Sequence, residues 1–330
     1  MLLAVRSSLR AESQRMRAIL HFCLLLPAVA QNFLVVSSPR LARIVALPLQ
    51  DNQKKQQEPI VVVETGLKQP QGIAIDQNRR RLYVADVGAR NVLYYDFNLV
   101  NGEVVTQADP VVVADNVEAH WVAVDGVGNV FFTEERVSQI FRIPAPKGVR
   151  GKPKPVAIYT SEMSERVSSP GGIAVDDFNV WWGNKELGTQ VGALIVAPQE
   201  PPAAAPQDSM KVLASVTDRV NGVCVAAGNV FFMSDEILAT RKAGGVVAVI
   251  SDVLQQPRGC AWDMDGGMYV ADKGTGQIVK FPGALSELKE TRLTPVVSVE
   301  DAYGLAVIVS SSWVSGCSAV VLCALAWLHV

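Results

Sequence analysis

The sequence predicts an all-β, six-bladed β-propeller with four-stranded antiparallel blades. Two observations carry this reading. A short apolar phrase returns six times, at residues 72–76 (GIAID), 121–125 (WVAVD), 172–176 (GIAVD), 222–226 (GVCVA), 259–263 (GCAWD) and 304–308 (GLAVI), at intervals of 49, 51, 50, 37 and 45 residues. A period of this size marks repeated structural units arranged in a ring or stack. Between the phrases lie three further short runs per unit, rich in branched and aromatic residues and separated by Gly, Asp, Asn and Pro. That is strand chemistry with turn punctuation. Four strands per unit, repeated six times, describe the blades of a propeller.

The elements follow in order. The recurring phrase is the innermost strand, because small residues such as Gly72, Ala74, Gly172 and Ala174 suit a crowded axis. The second strand is aromatic, at residues 82–85 (LYVA), 130–133 (VFFT), 180–182 (VWW), 230–233 (VFFM) and 268–271 (MYVA). Its large apolar area belongs between blades. Third strands fall at 92–95, 139–143, 193–196, 237–240 and 277–281, and fourth strands at 111–114, 156–159, 211–214, 246–250 and 295–298. Residues 42–46 (ARIVA) and 60–63 (IVVV) read as the third and fourth strands of a last blade, with its second strand beginning at Trp313, Val314 and Ser315. Strands from both termini then close that blade and pair the open edges of the ring. Residues 197–208 (APQEPPAAAPQD) read as an extended, mobile insertion between the third and fourth strands of one blade.

Both ends of the chain carry apolar segments. Arg15 and Arg17 precede an apolar run at 18–26 that ends in residues 27–30 (PAVA), the pattern of a secretory signal over residues 1–30. Met16 serves equally as a start, and a buried N-terminal helix is the other reading of the run. From 305 to 330 there is no Asp, Glu, Lys or Arg, and the hydrophobic tail at 316–330 follows Ser310, Ser311 and Ser312. It reads as a GPI-attachment signal, a membrane anchor or a tail packed on the domain. The expected location is the secretory pathway, at the cell surface or outside the cell, with the propeller spanning residues 31–315. Cleavage at Ser310 conflicts with a second strand at 313–315.

The formal net charge is −2, and the longest basic run, Arg79, Arg80 and Arg81, falls in an expected turn. No nucleic-acid partner is expected. Of five cysteines, Cys23 falls in the signal and Cys317 and Cys323 in the tail. Cys224 and Cys260 sit two and one positions after their glycines. Alternate strand residues point to opposite faces, so the two side chains are expected to diverge rather than pair. The chain has no Cys-x-x-Cys motif and no Asn-x-Ser/Thr sequon, so neither a structural zinc site nor N-glycosylation is expected.

Residues 67–76 (LKQPQGIAID), with 81–86 (RLYVAD) and 91–96 (NVLYYD), resemble an NHL repeat. Residues 256–259 (QPRG) through Asp272, with 276–280 (GQIVK), resemble another. The resemblance covers residues 42–315 loosely. It implies a six-bladed propeller of the NHL type, within a broader group that includes lactonase-like propellers. This architecture hosts binding modules and enzymes alike.

Function is sought where the repeats disagree. The residue before each inner strand should face the rim of the central channel. These are Gln71, His120, Gly171, Asn221, Arg258 and Tyr303, with Glu118, Arg219 and Asp301 nearby. Donors, acceptors and an aromatic ring together suit a polar ligand or a partner's surface, although a ring of solvated loops has the same composition. A second ring, Asp86, Glu134, Asn184, Asp235 and Asp272, has the chemistry to gather a hard cation. Such residues more often hydrogen-bond the backbone of their own turn, and Asp76, Asp125, Asp176 and Asp263 read the same way. The lactonase resemblance implies a divalent cation held by a glutamate, an asparagine and an aspartate. Asn221 matches the asparagine, Arg258 stands where the aspartate is expected, and no Glu-Gly-Pro phrase opens the mature chain. Asn221, Glu118 and Asp301 are therefore the metal candidates. His120 is the only histidine outside the terminal segments and Gly-x-Ser-x-Gly is absent, so no catalytic residue is assigned. The reading is a binding module for an extracellular protein, peptide or glycan; the alternative is a metal-dependent lactonase- or esterase-like hydrolase.

Overall fold

The computed structural model describes residues 31–49, 58–146, 153–186, 192–216 and 218–310. The signal segment, the C-terminal tail and Trp313 to Ser315 lie outside the described residues. Residues 32–309 form one compact unit.

The strands are β1 (Asn32–Ser38), β2 (Arg43–Leu49), β3 (Ile60–Val63), β4 (Pro70–Asp76), β5 (Arg81–Asp86), β6 (Asn91–Val100), β7 (Glu103–Thr106) and β8 (Val111–Asp115). There follow β9 (Ala119–Val124), β10 (Val130–Glu134), β11 (Gln139–Ile143), β12 (Val156–Thr160), β13 (Pro170–Val175), β14 (Asn179–Asn184), β15 (Gly192–Pro198) and β16 (Lys211–Val216). The last are β17 (Gly222–Ala226), β18 (Asn229–Met233), β19 (Ile237–Arg241), β20 (Ala248–Ser251), β21 (Pro257–Trp262), β22 (Gly267–Asp272), β23 (Gln277–Pro282), β24 (Thr294–Ser298) and β25 (Leu305–Ile308). They form six antiparallel sheets, each beginning with a recurring phrase on its inner strand. Blade 1 starts at β4, blade 2 at β9, blade 3 at β13, blade 4 at β17 and blade 5 at β21; β25 opens blade 6. Blade 1 has a fifth strand, because β6 runs long and turns back through β7 before β8 pairs with it.

The closing blade corrects one expectation. Its order is β25-β1-β2-β3, so the N-terminal region supplies three strands rather than two. The second-strand position assigned to Trp313–Ser315 is taken by β1, with Phe33 opposite Ile308 and Val36 opposite Leu305. Four buried apolar residues in succession, Phe33, Leu34, Val35 and Val36, make β1 a fully covered strand. The conflict between cleavage near Ser310 and an intact ring disappears, because among the described residues every strand of blade 6 lies before that residue.

Burial explains the aromatic second strands. Phe131, Phe132, Trp181, Trp182, Phe231 and Phe232 are almost wholly buried in adjacent pairs. Neighbours in a strand face opposite ways, so both are covered only if the sheet is sandwiched. The apolar core accordingly divides into six clusters, one at each junction between blades. Trp182 packs with Phe131 at the junction of blades 2 and 3, Trp181 with Phe232 between blades 3 and 4, and Phe231 with Met268 between blades 4 and 5. The inner strands approach so closely that a Cβ on Gly222 would stand 1.9 Å from the Arg258 carbonyl oxygen, and one on Gly172 would stand 2.5 Å from the Gly222 Cα. At these two blades the close approach leaves room for glycine alone.

A second correction concerns the cysteines. Cys224 and Cys260 form a disulfide, with Cα atoms 6.0 Å apart. Their opposite phases would separate them on one strand or one sheet. They stand instead on the inner strands of adjacent blades, β17 and β21. The face of blade 4 that looks at blade 5 and the face of blade 5 that looks back belong to opposite phases, so the phase difference brings the sulfurs together.

The insertion after β15 lies between third and fourth strands as expected, but it is tied down rather than simply extended. It contains a 3-10 turn at Pro206–Ser209. Tyr159 donates a hydrogen bond to the Pro198 carbonyl at 2.8 Å, and Arg166 donates to that of Met210 at 2.8 Å.

Candidate functional site

Each inner strand begins at one end of the channel, called here the rim. Loops from each fourth strand and turns after each second strand gather at the same end. The aspartates of the A–B turns, between first and second strands, lie at the opposite end and serve those turns. Asp125 accepts from the Val127 and Asn129 backbone amides at 3.1 and 2.8 Å, and Asp263 accepts from those of Asp265 and Gly267 at 2.9 and 2.7 Å. Asp176 takes two backbone bonds and the Lys242 ammonium. Despite the cost of burial, these bonds hold its carboxyl below the usual carboxylate range.

The ring at the second-strand ends ties the rim loops. Asp86 accepts from the amides of Lys68 and Gln69 at 2.7 and 2.8 Å, and Asp272 from those of Gln255 and Gln256 at 3.2 and 2.8 Å. Glu134 accepts from the Glu118 amide at 3.1 Å, and Asn184 bonds the loop at Arg166 and Ser168. These carboxylates and amides therefore fix the loops that carry the rim residues.

Within that frame, Gln71, His120 and Tyr303 converge with residues from other blades. His120 Nδ1 donates to Gln71 Oε1 at 3.1 Å, joining blades 1 and 2. Glu135 Oε2 lies 3.8 Å from the same nitrogen, and Glu118 Oε1 lies 4.0 Å from Nε2. Glu135 in turn accepts a hydrogen bond from the Lys185 ammonium of blade 3. Burial pushes the His120 pKa below its ordinary value; Glu135 opposes that shift and Lys185 adds to it. The imidazole is thus held neutral at pH 7. Among the described residues no serine, threonine or cysteine side chain is hydrogen-bonded to it.

Tyr303 stacks on Trp121 with ring centroids 5.4 Å apart. Trp121 belongs to blade 2 and Tyr303 to blade 6. Blade 1 lies between them, so the rings meet across the channel. Both are nearly buried. Burial raises the Tyr303 hydroxyl to about 12, with the neighbouring Arg258 charge pulling the other way. Lys273, one position after Asp272, lies over the Tyr303 ring at 5.4 Å.

The proposed metal candidates are each engaged elsewhere. Asp301 accepts from the Arg40 amide at 2.7 Å and pairs with its guanidinium at 3.1 Å. Asn221 donates to the Arg219 carbonyl at 3.3 Å. Glu118 faces His120, Arg90 and Arg136. Among the described residues, no group of three His, Cys, Asp or Glu side chains is arranged to hold a metal ion.

Glu135, Lys185 and Lys273 were not singled out from sequence. They follow Glu134, Asn184 and Asp272 by one position. Each unit differs there, and that disagreement was the available signal.

No protein-family model matches the chain, and no curated protein sequence matches it. Solved structures do. One chain of a nidogen/laminin complex superposes with a TM-score of 0.63 at 17% identity, covering 85% of this chain and 99% of that one. A gluconolactonase from Xanthomonas campestris superposes at 0.52 with 16% identity, covering 73% and 83%. At these identities the likeness defines the class of protein, a six-bladed β-propeller, and no more.

Proposed function

We propose that this chain is a secreted or cell-surface propeller, of the NHL type, that binds an extracellular protein, peptide or glycan at the channel rim. The observation that carries the reading is the Trp121–Tyr303 stack across the channel. It joins blades 2 and 6 at the rim end, where polar groups from several blades also gather. Arg258, half-buried beside the stack, is of the residue type that commonly anchors binding energy at such surfaces. The fold itself favours neither class, since one similar structure is a protein–protein complex and another a lactonase. The engaged carboxylates and the neutral His120 without a nucleophile weigh toward binding. An inter-blade disulfide fits an oxidising compartment. Attachment to a membrane through residues 316–330 is compatible with a closed ring.

The test is selection of binders from a displayed library on the wild-type protein, followed by measurement on the Gln71→Ala/His120→Ala double variant. The reading expects at least a tenfold loss of affinity in a variant that still unfolds cooperatively above the temperature of the assay. Binders indifferent to these changes would count against it. Calorimetry with calcium, magnesium, manganese and zinc tests the hydrolase alternative, and saturable binding abolished by Asn221→Ala would favour it.

A further inference from the structure

Some charges at the rim are paired within the protein and others are not. Three acids at the rim have cationic partners: Glu135 has Lys185, Asp301 has Arg40, and Glu118 has Arg90 and Arg136. Two cations beside Tyr303 have no such partner. Arg258, half-buried, donates only to its own neighbour, the Pro257 carbonyl, at 3.0 Å. Lys273 lies over the Tyr303 ring. Among the described residues no carboxylate pairs with either. Both come from blade 5, on segments fixed by Asp272 through the Gln255 and Gln256 amides, so their backbones are pre-positioned. Glu135 and Asp301 also act on the Tyr303 hydroxyl, and each of these acids is already paired with a cation.

A planar guanidinium and an ammonium beside one aromatic ring are complementary to a carboxylate, which takes charge-assisted bonds from both. The neighbouring Glu118–Glu135 side of the rim, already neutralised, offers no comparable attraction. We infer that a protein partner places an aspartate or glutamate side chain between Arg258 and Lys273, over Tyr303. This seat deepens the rim-binding reading and rests on it. Arg258 is then a specificity-determining residue: it stands where the lactonase resemblance expects an acid, and it reverses the charge of the ligand taken there.

The experiment uses a phage-displayed random dodecapeptide library panned on the full-length protein. Selected peptides are synthesised with each Asp or Glu and with the corresponding Asn or Gln. Affinities are measured by fluorescence polarisation on the wild type and on Arg258→Gln, Lys273→Gln and Gln71→Ala/His120→Ala, after thermal unfolding confirms that the variants are folded. The proposal expects one essential acidic position, whose amide form binds at least tenfold more weakly to the wild type. It also expects that difference to shrink to under threefold on Arg258→Gln. Equal affinities of acid and amide forms, or a difference undiminished in Arg258→Gln and Lys273→Gln, would overturn it. Peptides that need Gln71 and His120 but not an acidic residue would leave the rim reading standing and remove the carboxylate seat. Peptides that ignore every rim variant would remove both.

Discussion

Cys224 and Cys260 stand on neighbouring blades and close a disulfide across the junction, 36 residues apart in sequence. The bond staples two inner strands whose remaining contacts there include buried Met233, Phe231, Met268 and Val270. A crosslink of this span restricts the unfolded chain by about 3–4 kcal/mol in the loop-entropy account. The Cys224→Ala/Cys260→Ala protein is therefore expected to fold but to melt several degrees lower than the oxidised wild type. Scanning calorimetry with and without reductant checks this, and reductant should leave the double variant unaffected.

Gly222 tests the ring packing. A Cβ there would meet the Arg258 carbonyl oxygen at 1.9 Å and the Met233 side chain at 3.1 Å, whereas one on Gly228 would meet nothing within 4 Å. Gly222→Ala should destabilise by at least the roughly 1–3 kcal/mol typical of overpacking. Gly228→Ala should lie within about 1 kcal/mol of the wild type. Denaturation midpoints of the pair measure the difference.

His120 sets a pH dependence. Its folded pKa lies below the ordinary 6.5, chiefly through burial. Between the folded and unfolded values the unfolded chain binds the extra proton, so stability rises with pH through that window. The contribution is fully present above about pH 7 and is lost progressively as pH falls through 6.5 toward the folded value. Proton NMR should find the His120 imidazole titrating below 6.5. Glu135→Gln should lower its pKa further, and Lys185→Met should raise it.

Closure by β1 makes a prediction about the ends. Ending the chain after Ser310 retains every strand of blade 6, while ending it after Tyr303 removes β25, the inner strand that pairs with β1. The first protein should keep a cooperative thermal transition and wild-type circular dichroism. The second should lose the cooperative transition, because β1 then presents an unpaired edge inside the ring.

The ring and the blades were legible because each unit repeats its own local pattern. Phe131 and Phe132, or Trp181 and Trp182, announce a strand covered on both faces without reference to any other unit. What sequence concealed depends on contacts between units. β1 pairs with β25 across nearly the whole chain, and no local pattern reveals such a partner. The Cys224–Cys260 pair depends on a contact of the same kind: their phases lie on opposite faces within one sheet and meet only across adjacent blades. Within the site, Gln71, His120, Arg258 and Tyr303 were placed by counting back from the inner strand. Glu135, Lys185 and Lys273 join them from turns after the second strand, and Trp121 occupies a position that elsewhere holds glycine. Its role becomes visible only when Tyr303 is seen across the channel.

The central claim is that the rim above the Trp121–Tyr303 stack is the recognition surface. Hydrogen–deuterium exchange on the protein, with and without the tightest selected dodecapeptide, tests it most directly. The account predicts slowed exchange at residues 69–72, 118–121, 219–222, 256–259 and 301–304, with the opposite end of the channel unchanged. Protection confined to the outer strands or to the A–B turns at residues 76–81, 125–129, 176–179 and 263–267, with the rim unaltered, would contradict it.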